Sequence, residues 1–282
     1  MKSSFYPHAD LTDKSNYKKY DIIKRDGSVL ERVFLNIPIP SLREKIICFQ
    51  YLSRRVKFFN KETVGFNIIS RDNPWDFKVD FSSGELFNVE ITSIAEDSGI
   101  FEMLKREERL ALNLDKKEIE LHELEKLNYF FPNNDIKKLI DALKTSGTNK
   151  TDLSPNPWYD EKLLTIGRIN DERSELSTVI KTAVEKKEEK KHSEKGMTVL
   201  IIDNRSFTYE IADVFLAREQ IHDFIQNCSF AEVWFYTGYY SSLDGQDAEF
   251  NLYPMKLTDE QEQLLLEYAN KNPPNEDGLI PG

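Results

Sequence analysis

The 282 residues are 39% hydrophobic and 12% aromatic, enough to build a buried core, yet 31% are charged and the net charge is −11. That balance excludes a broadly basic nucleic-acid coat, and no run of about 18 apolar residues marks a membrane-spanning helix. Cys48 and Cys228 lie far apart and fit buried thiols, and the N-terminal MKSSFYPHADLTDK lacks an apolar signal core. A cytoplasmic protein without membrane contact is expected.

The first 35 residues are polar, with a short hairpin expected around Asp26-Gly27. Ser41 reads as a helix N-cap with Glu44 three residues on, a capping-box spacing. The segment after it repeats apolar residues at Leu42, Ile46, Phe49, Leu52 and Val56, a helical period. The first 60 residues hold 12 Lys/Arg against 6 Asp/Glu, a basic block in an acidic chain. Its Arg43, Lys45, Arg54, Arg55 and Lys57 can serve as a phosphate contact or simply solvate a helix face, and both readings stand at this point.

An extended stretch follows over 63–69, and Pro74–Thr92 reads as a β-hairpin turning at Ser82-Ser83-Gly84. Phe81 then pairs with Glu85, and the register runs Val79–Phe87, Phe77–Val89 and Trp75–Ile91 on one apolar face. The other face sets Asp76 opposite Glu90 and Lys78 opposite Asn88, with Thr92 beyond, at Cβ spacings of about 4.5–5.5 Å. Two opposed carboxylates repel unless a positive charge lies between them, and a divalent cation held by one or two carboxylates is one answer.

Residues from about Ile100 to Leu127 read as a helix, followed by a shorter one over Ile136–Lys144 and a turn-rich loop over Ser146–Trp158. A long helix from about Asp171 to Lys191 places Leu176, Ile180, Ala183, Val184 and Lys187 on one stripe. Met197–Ile202 suits a buried strand, Ile211–Gln226 an amphipathic helix and Ala231–Tyr236 another strand. Tyr239–Tyr253 reads as a hairpin turning at Asp244-Gly245, and the chain after Pro273 as a frayed tail. The aromatic run from Trp234 to Tyr240 reads either as a base-stacking surface or as a strand leaving the core. The expected architecture is a single α/β domain over 1–282 whose mixed central sheet begins as a strand meander and is flanked by helices, with 100–165 as a helical insertion.

No glycine-rich phosphate loop is present, and the four histidines, His8, His122, His192 and His222, fall in no zinc spacing with the cysteines. Pro74-x-Asp76 followed fourteen residues later by Glu90-x-Thr92, after a helix and within a meander, resembles the PD-(D/E)XK nuclease-like superfamily. The resemblance implies a restriction-endonuclease-like fold and a Mg²⁺- or Mn²⁺-dependent nuclease acting on DNA. It also implies metal binding by Asp76 and Glu90, with Glu44 as an accessory helical acid. Thr92 stands where the family carries a lysine that orients the attacking water, and threonine cannot carry that charge. Lys78, on the same hairpin face, and Lys187, on the stripe of the 171–191 helix, are the two replacements on offer. The alternative is a non-catalytic protein of the same fold that binds a protein partner as an inhibitor or immunity-type module, for which an acidic surface is suited.

Overall fold

A computed structural model describes residues 17–23, 29–35, 39–59, 65–72, 74–114, 116–159, 173–206, 208–209, 211–240 and 248–271. The chain divides into two compact units, one of 1–36, 41–96 and 173–282, the other of 37–40 and 97–172. The first unit is α/β, with an eight-stranded mixed sheet and helices on both faces.

Its meander comprises β3 (Phe66–Arg71), β4 (Phe77–Phe81) and β5 (Leu86–Ile94), all antiparallel. From β5 the sheet continues through two parallel strands, β8 (Thr198–Asn204) and β9 (Glu232–Tyr240). On its other edge β9 pairs antiparallel with β10 (Ala248–Lys256). The hairpin of β1 (Tyr17–Ile23) and β2 (Val29–Leu35) joins at Tyr239 and Tyr240, past the last residue that β8 pairs. The turns expected at Asp26-Gly27 and Asp244-Gly245, and the tail after Pro273, lie outside the described residues. Every residue of β8 is buried, as a parallel strand covered on both faces requires.

On one face lies α1 (Pro40–Phe59), packed through Ile47, Cys48, Tyr51 and Leu52 onto Phe77, Val79, Phe81, Val89, Val199, Ile201 and Trp234. On the other, α5 (Leu176–Glu188), α6 (Ile211–Gln220) and α7 (His222–Gln226) bury Leu176, Ile180, Val184, Val214 and Ile225 against Leu200, Ile202, Val233 and Phe235. The alternation along β8 sends odd positions to α1 and even positions to α5. Burying side chains such as these removes about 1.5–3 kcal/mol of unfavourable hydration each, which is what holds the three layers together.

The buried line of α1 differs from the one expected from its aliphatic spacing. It is centred on Arg43, Ile47, Tyr51 and Arg55, four residues apart, and both arginines are buried. Arg43 donates two hydrogen bonds to Asp203 on β8, at 2.8 and 2.6 Å. Arg55 pairs with Glu232 on β9, which also accepts from Tyr51, Trp234 and Gln261. Arg43 and Arg55 are therefore anchors for the helix, not free phosphate contacts. The reason is geometric: the acids that neutralise them lie more than 150 residues away in sequence. The helix also begins two residues earlier than the capping-box reading, because Pro40 takes the first helical position in place of Leu42, and its missing N–H costs nothing there.

The second unit contains α2 (Ser98–Ala111), β6 (Glu118–Glu120), α3 (Leu121–Phe130), α4 (Asn134–Thr145) and β7 (Leu153–Pro155). Leu110, Ile119, Leu121, Leu124, Leu127, Ile136, Ile140 and Trp158 form its core. The helix expected over 100–127 is split, and β6 pairs with β7 inside the stretch read as a loop. Asn156 secures the break, donating to the carbonyls of Asn113 and Lys116 at 2.7 and 2.8 Å. Three-residue strands joined over such a distance leave no periodic trace.

The final helix of the first unit, α8 (Asp259–Lys271), was not among the expected elements. A signal existed: Thr258 and Gln261 form a reciprocal capping box, each side chain accepting the other's backbone N–H, at 3.3 and 3.0 Å.

Candidate functional site

The β4–β5 hairpin forms in the expected register, Phe77↔Val89, Lys78↔Asn88 and Val79↔Phe87, with Phe81 N donating to Glu85 O at 2.9 Å. Gly84 sits at φ +88°, a backbone state open to glycine, and closes the turn by donating its N–H to Phe81 O. The ladder then stops one residue short of the expected Asp76–Glu90 and Trp75–Ile91 pairs. At Asp76 the chain bends, and Trp75 crosses to the other layer, joining Ile94, Leu176 and Leu200 while Ile91 stays with Phe77 on the α1 side. The Asp76 carboxylate takes over the lost ladder bond by accepting the N–H of Ile91 at 2.6 Å.

Glu90 lies in the middle of β5, buried, beside Leu200 in the parallel ladder. Its side chain faces α5 and is ion-paired there with Lys187, whose ammonium also lies 3.4 Å from the carbonyl oxygen of Ile91. Lys190, in the bend two residues past the end of the same helix, reaches the same Glu90 oxygen at 3.5 Å with its side chain half-exposed. On the α1 side Glu44 pairs with Arg71 at 2.7 Å, and Arg71 packs over Phe77.

These groups share one electrostatic neighbourhood. Burial pushes the Asp76 carboxyl up to about 6, and the charges of Glu90 and Glu44 push the same way. The Ile91 N–H and the Lys187 ammonium oppose the shift without cancelling it. Burial likewise raises the thiol of Cys48, which feels both Asp76 and Arg71 and is fully enclosed, so it is no nucleophile.

Of the expected site residues, the structure brings together Asp76, Glu90 and Lys187. Lys78 occupies its register position opposite Asn88, but no ion pair joins it to Asp76 or Glu90 among the described residues. The bend at Asp76 takes that acid out of the strand, and Glu90, which stays in β5, is engaged by Lys187 and Lys190 instead. Glu44 is close enough to act on Asp76, yet its carboxylate is held by Arg71. Among the described residues no three His, Cys, Asp or Glu side chains gather to hold a metal, so the three-carboxylate set of Asp76, Glu90 and Glu44 is not formed. Thr92 is half-buried on β5 opposite Ile202, two positions from Glu90 and on the same strand face. Trp234, Phe235 and Tyr236 are buried, which makes this part of the aromatic run a core strand and not a stacking surface.

The oxygens present do suit a hard divalent cation. Glu90 and the Ile91 carbonyl already hold one positive group, the Lys187 ammonium, and the Asp76 carboxylate is bonded to the amide of that same Ile91. Two carboxylates and a carbonyl, completed by water, match the partial protein shell that Mg²⁺ accepts. Sequence reasoning missed Lys190, Arg71 and the Ile91 peptide. Lys190 follows Lys187 by three residues, a spacing that would share a face on the helix expected to run to Lys191, but EKKEEKK reads first as a solvated run.

Comparison with protein-family models, with curated protein sequences and with solved structures gives no match for this chain. None of the described helices is long and apolar enough to cross a membrane.

Proposed function

We propose that this chain is a metal-dependent nuclease of the restriction-endonuclease-like type, hydrolysing phosphodiester bonds of DNA. The observation that carries the reading is the meeting of Asp76, Glu90 and Lys187 from three separate segments around the Ile91 peptide. A buried glutamate paired with a lysine in the middle of a core strand is costly to maintain for stability alone. A hydrophobic pair would serve the core as well, so a chemical role accounts better for its presence.

Asp76, Glu90 and the Ile91 carbonyl would hold the cation. A divalent ion there supplies Lewis acidity toward water and neutralises charge on the scissile phosphate. Lys187 replaces the lysine that Thr92 lacks. Its ammonium is positioned by α5 packing through Ile180 and Val184, and with the Glu90 and Ile91 oxygens taken by the cation it would be released to orient the attacking water and stabilise developing negative charge. The Ile91 N–H fixes one Asp76 oxygen and leaves the other to face a ligand.

The test is incubation with plasmid and single-stranded DNA in Mg²⁺ or Mn²⁺. Cleavage that disappears in Asp76→Ala, Glu90→Gln and Lys187→Met supports the reading, and cleavage untouched by those changes overturns it. The second reading, a non-catalytic protein-binding module of this fold, draws on the net charge of −11 and on Glu90 being neutralised by lysines without a metal. It predicts no heat of Mn²⁺ binding in calorimetry and no cleavage.

A further inference from the structure

Three acids and three cations meet at the mouth of the hairpin. Glu44 is paired with Arg71, and Glu90 with both Lys187 and Lys190, while Asp76 feels Glu90, Glu44 and Lys187. Asp72 approaches Arg71 at 3.3 Å from a mostly exposed side chain, where solvent screens it. The inner set is therefore close to neutral by itself. Two added positive charges leave it in excess, inside a chain whose overall charge of −11 repels polyanions.

The two lysines are not equivalent. Lys187 is largely buried and has a second acceptor in the Ile91 carbonyl, so it is held inward. Lys190 is half-exposed, and its ammonium has Glu90 alone as partner among the described residues, at a loose 3.5 Å. Its backbone is nevertheless well placed. The N–H of His192 donates to the Lys190 carbonyl at 2.8 Å, and the His192 ring packs edge-on against Trp75 at 5.1 Å between centroids. Trp75 directly precedes Asp76, so the turn carrying Lys190 is anchored to the segment carrying the acid.

Resting on the nuclease reading, we propose that Lys190 is a substrate-binding residue that contacts a phosphate of the substrate strand, and that this acidic chain binds DNA tightly only when a divalent cation is present. With Glu90 engaged by a cation, Lys190 loses its one acceptor among the described residues and turns to the nearest anion, a phosphate oxygen. The site then gains affinity for the polyanion from a single local change, and the acidic surface suppresses binding elsewhere.

The experiment is fluorescence anisotropy of a labelled DNA oligonucleotide, with Ca²⁺ used to support binding without turnover. The wild-type protein, Lys190→Ala and Lys190→Arg are each titrated in Ca²⁺ and in EDTA, at several salt concentrations. The expected result is wild-type binding at least about tenfold tighter in Ca²⁺ than in EDTA. Lys190→Ala should lose most of that gain and reduce the salt slope by about one, and Lys190→Arg should restore both. Thermal unfolding of each variant shows whether the fold is intact. Equal wild-type affinity with and without Ca²⁺, or a Lys190→Ala protein that binds as the wild type does, overturns the proposal. If the wild type cleaves DNA while Lys190→Ala leaves affinity and KM unchanged, the Lys190 assignment alone falls. If the wild type neither binds nor cleaves DNA, the nuclease reading falls with it.

Discussion

Replacing Asp76 by asparagine isolates the electrostatic cost of the candidate site. The carboxyl holds its proton to about 6 against an ordinary 3.8, because burial and the neighbouring Glu90 and Glu44 disfavour the charge. A group whose pKa is higher in the folded than in the unfolded chain stabilises the fold fully at low pH, and that stability is lost as pH rises through the folded value. Integrated from 3.8 to about 6, the loss is roughly 3 kcal/mol, complete by about pH 7. Asparagine has nearly the same shape and an oxygen that can still accept the Ile91 N–H, though the bond to a neutral acceptor is weaker by about 1 kcal/mol. Asp76→Asn is thus expected to be more stable than wild type by about 2 kcal/mol at pH 8, a rise in Tm of roughly 4–8 °C for a chain of this size. Near pH 4 the gap should close or reverse slightly. Circular dichroism melts from pH 4 to 8 in EDTA measure this directly, and millimolar Mn²⁺ should raise the wild-type Tm while leaving the variant unmoved. A variant less stable than wild type at pH 8, or a gap that does not open between pH 4 and 7, would refute the repulsion argument.

Lys187→Met leaves Glu90 buried with only the loose Lys190 contact, and removing one partner of a buried pair costs about 3 kcal/mol or more. Urea denaturation should register that loss, whereas Lys78→Ala should change stability by less than about 0.5 kcal/mol and leave cleavage intact. Arg43→Ala should destabilise by about 3–5 kcal/mol, because Asp203 would remain buried and would lose both guanidinium hydrogen bonds, keeping the Ser93 hydroxyl and the charge of Arg205. Burial alone would raise the Asp203 carboxyl, but the Arg43 guanidinium, with help from Arg205 and the Ser93 hydroxyl, outweighs it and holds the group below its ordinary 3.8. The wild-type contribution of this pair is present at neutral pH and is lost as pH falls through the lowered value. An acid titration of the unfolding midpoint should therefore show an acid-side loss in wild type that Arg43→Ala lacks.

Much of the site was legible in the chain itself. Period-2 alternation over Phe77–Phe81 and Leu86–Val89, closed by Ser-Ser-Gly, determined the hairpin and its register, because one buried face and a glycine turn leave a strand pair no other alignment. The helical stripe of Leu176, Ile180, Val184 and Lys187 determined that the lysine would face the sheet. The tertiary structure decided what lay beyond local period. It ended the ladder at Phe77, so that Asp76 bonds the Ile91 amide instead of facing Glu90. It put Lys187, and among the described residues not Lys78, in an ion pair with Glu90, gave Glu44 to Arg71, and set Arg43 and Arg55 against Asp203 and Glu232. Each of those choices is a charge finding its partner across a long stretch of chain. Hydrophobic periodicity records which face of an element is buried, but not which ion will stand opposite it.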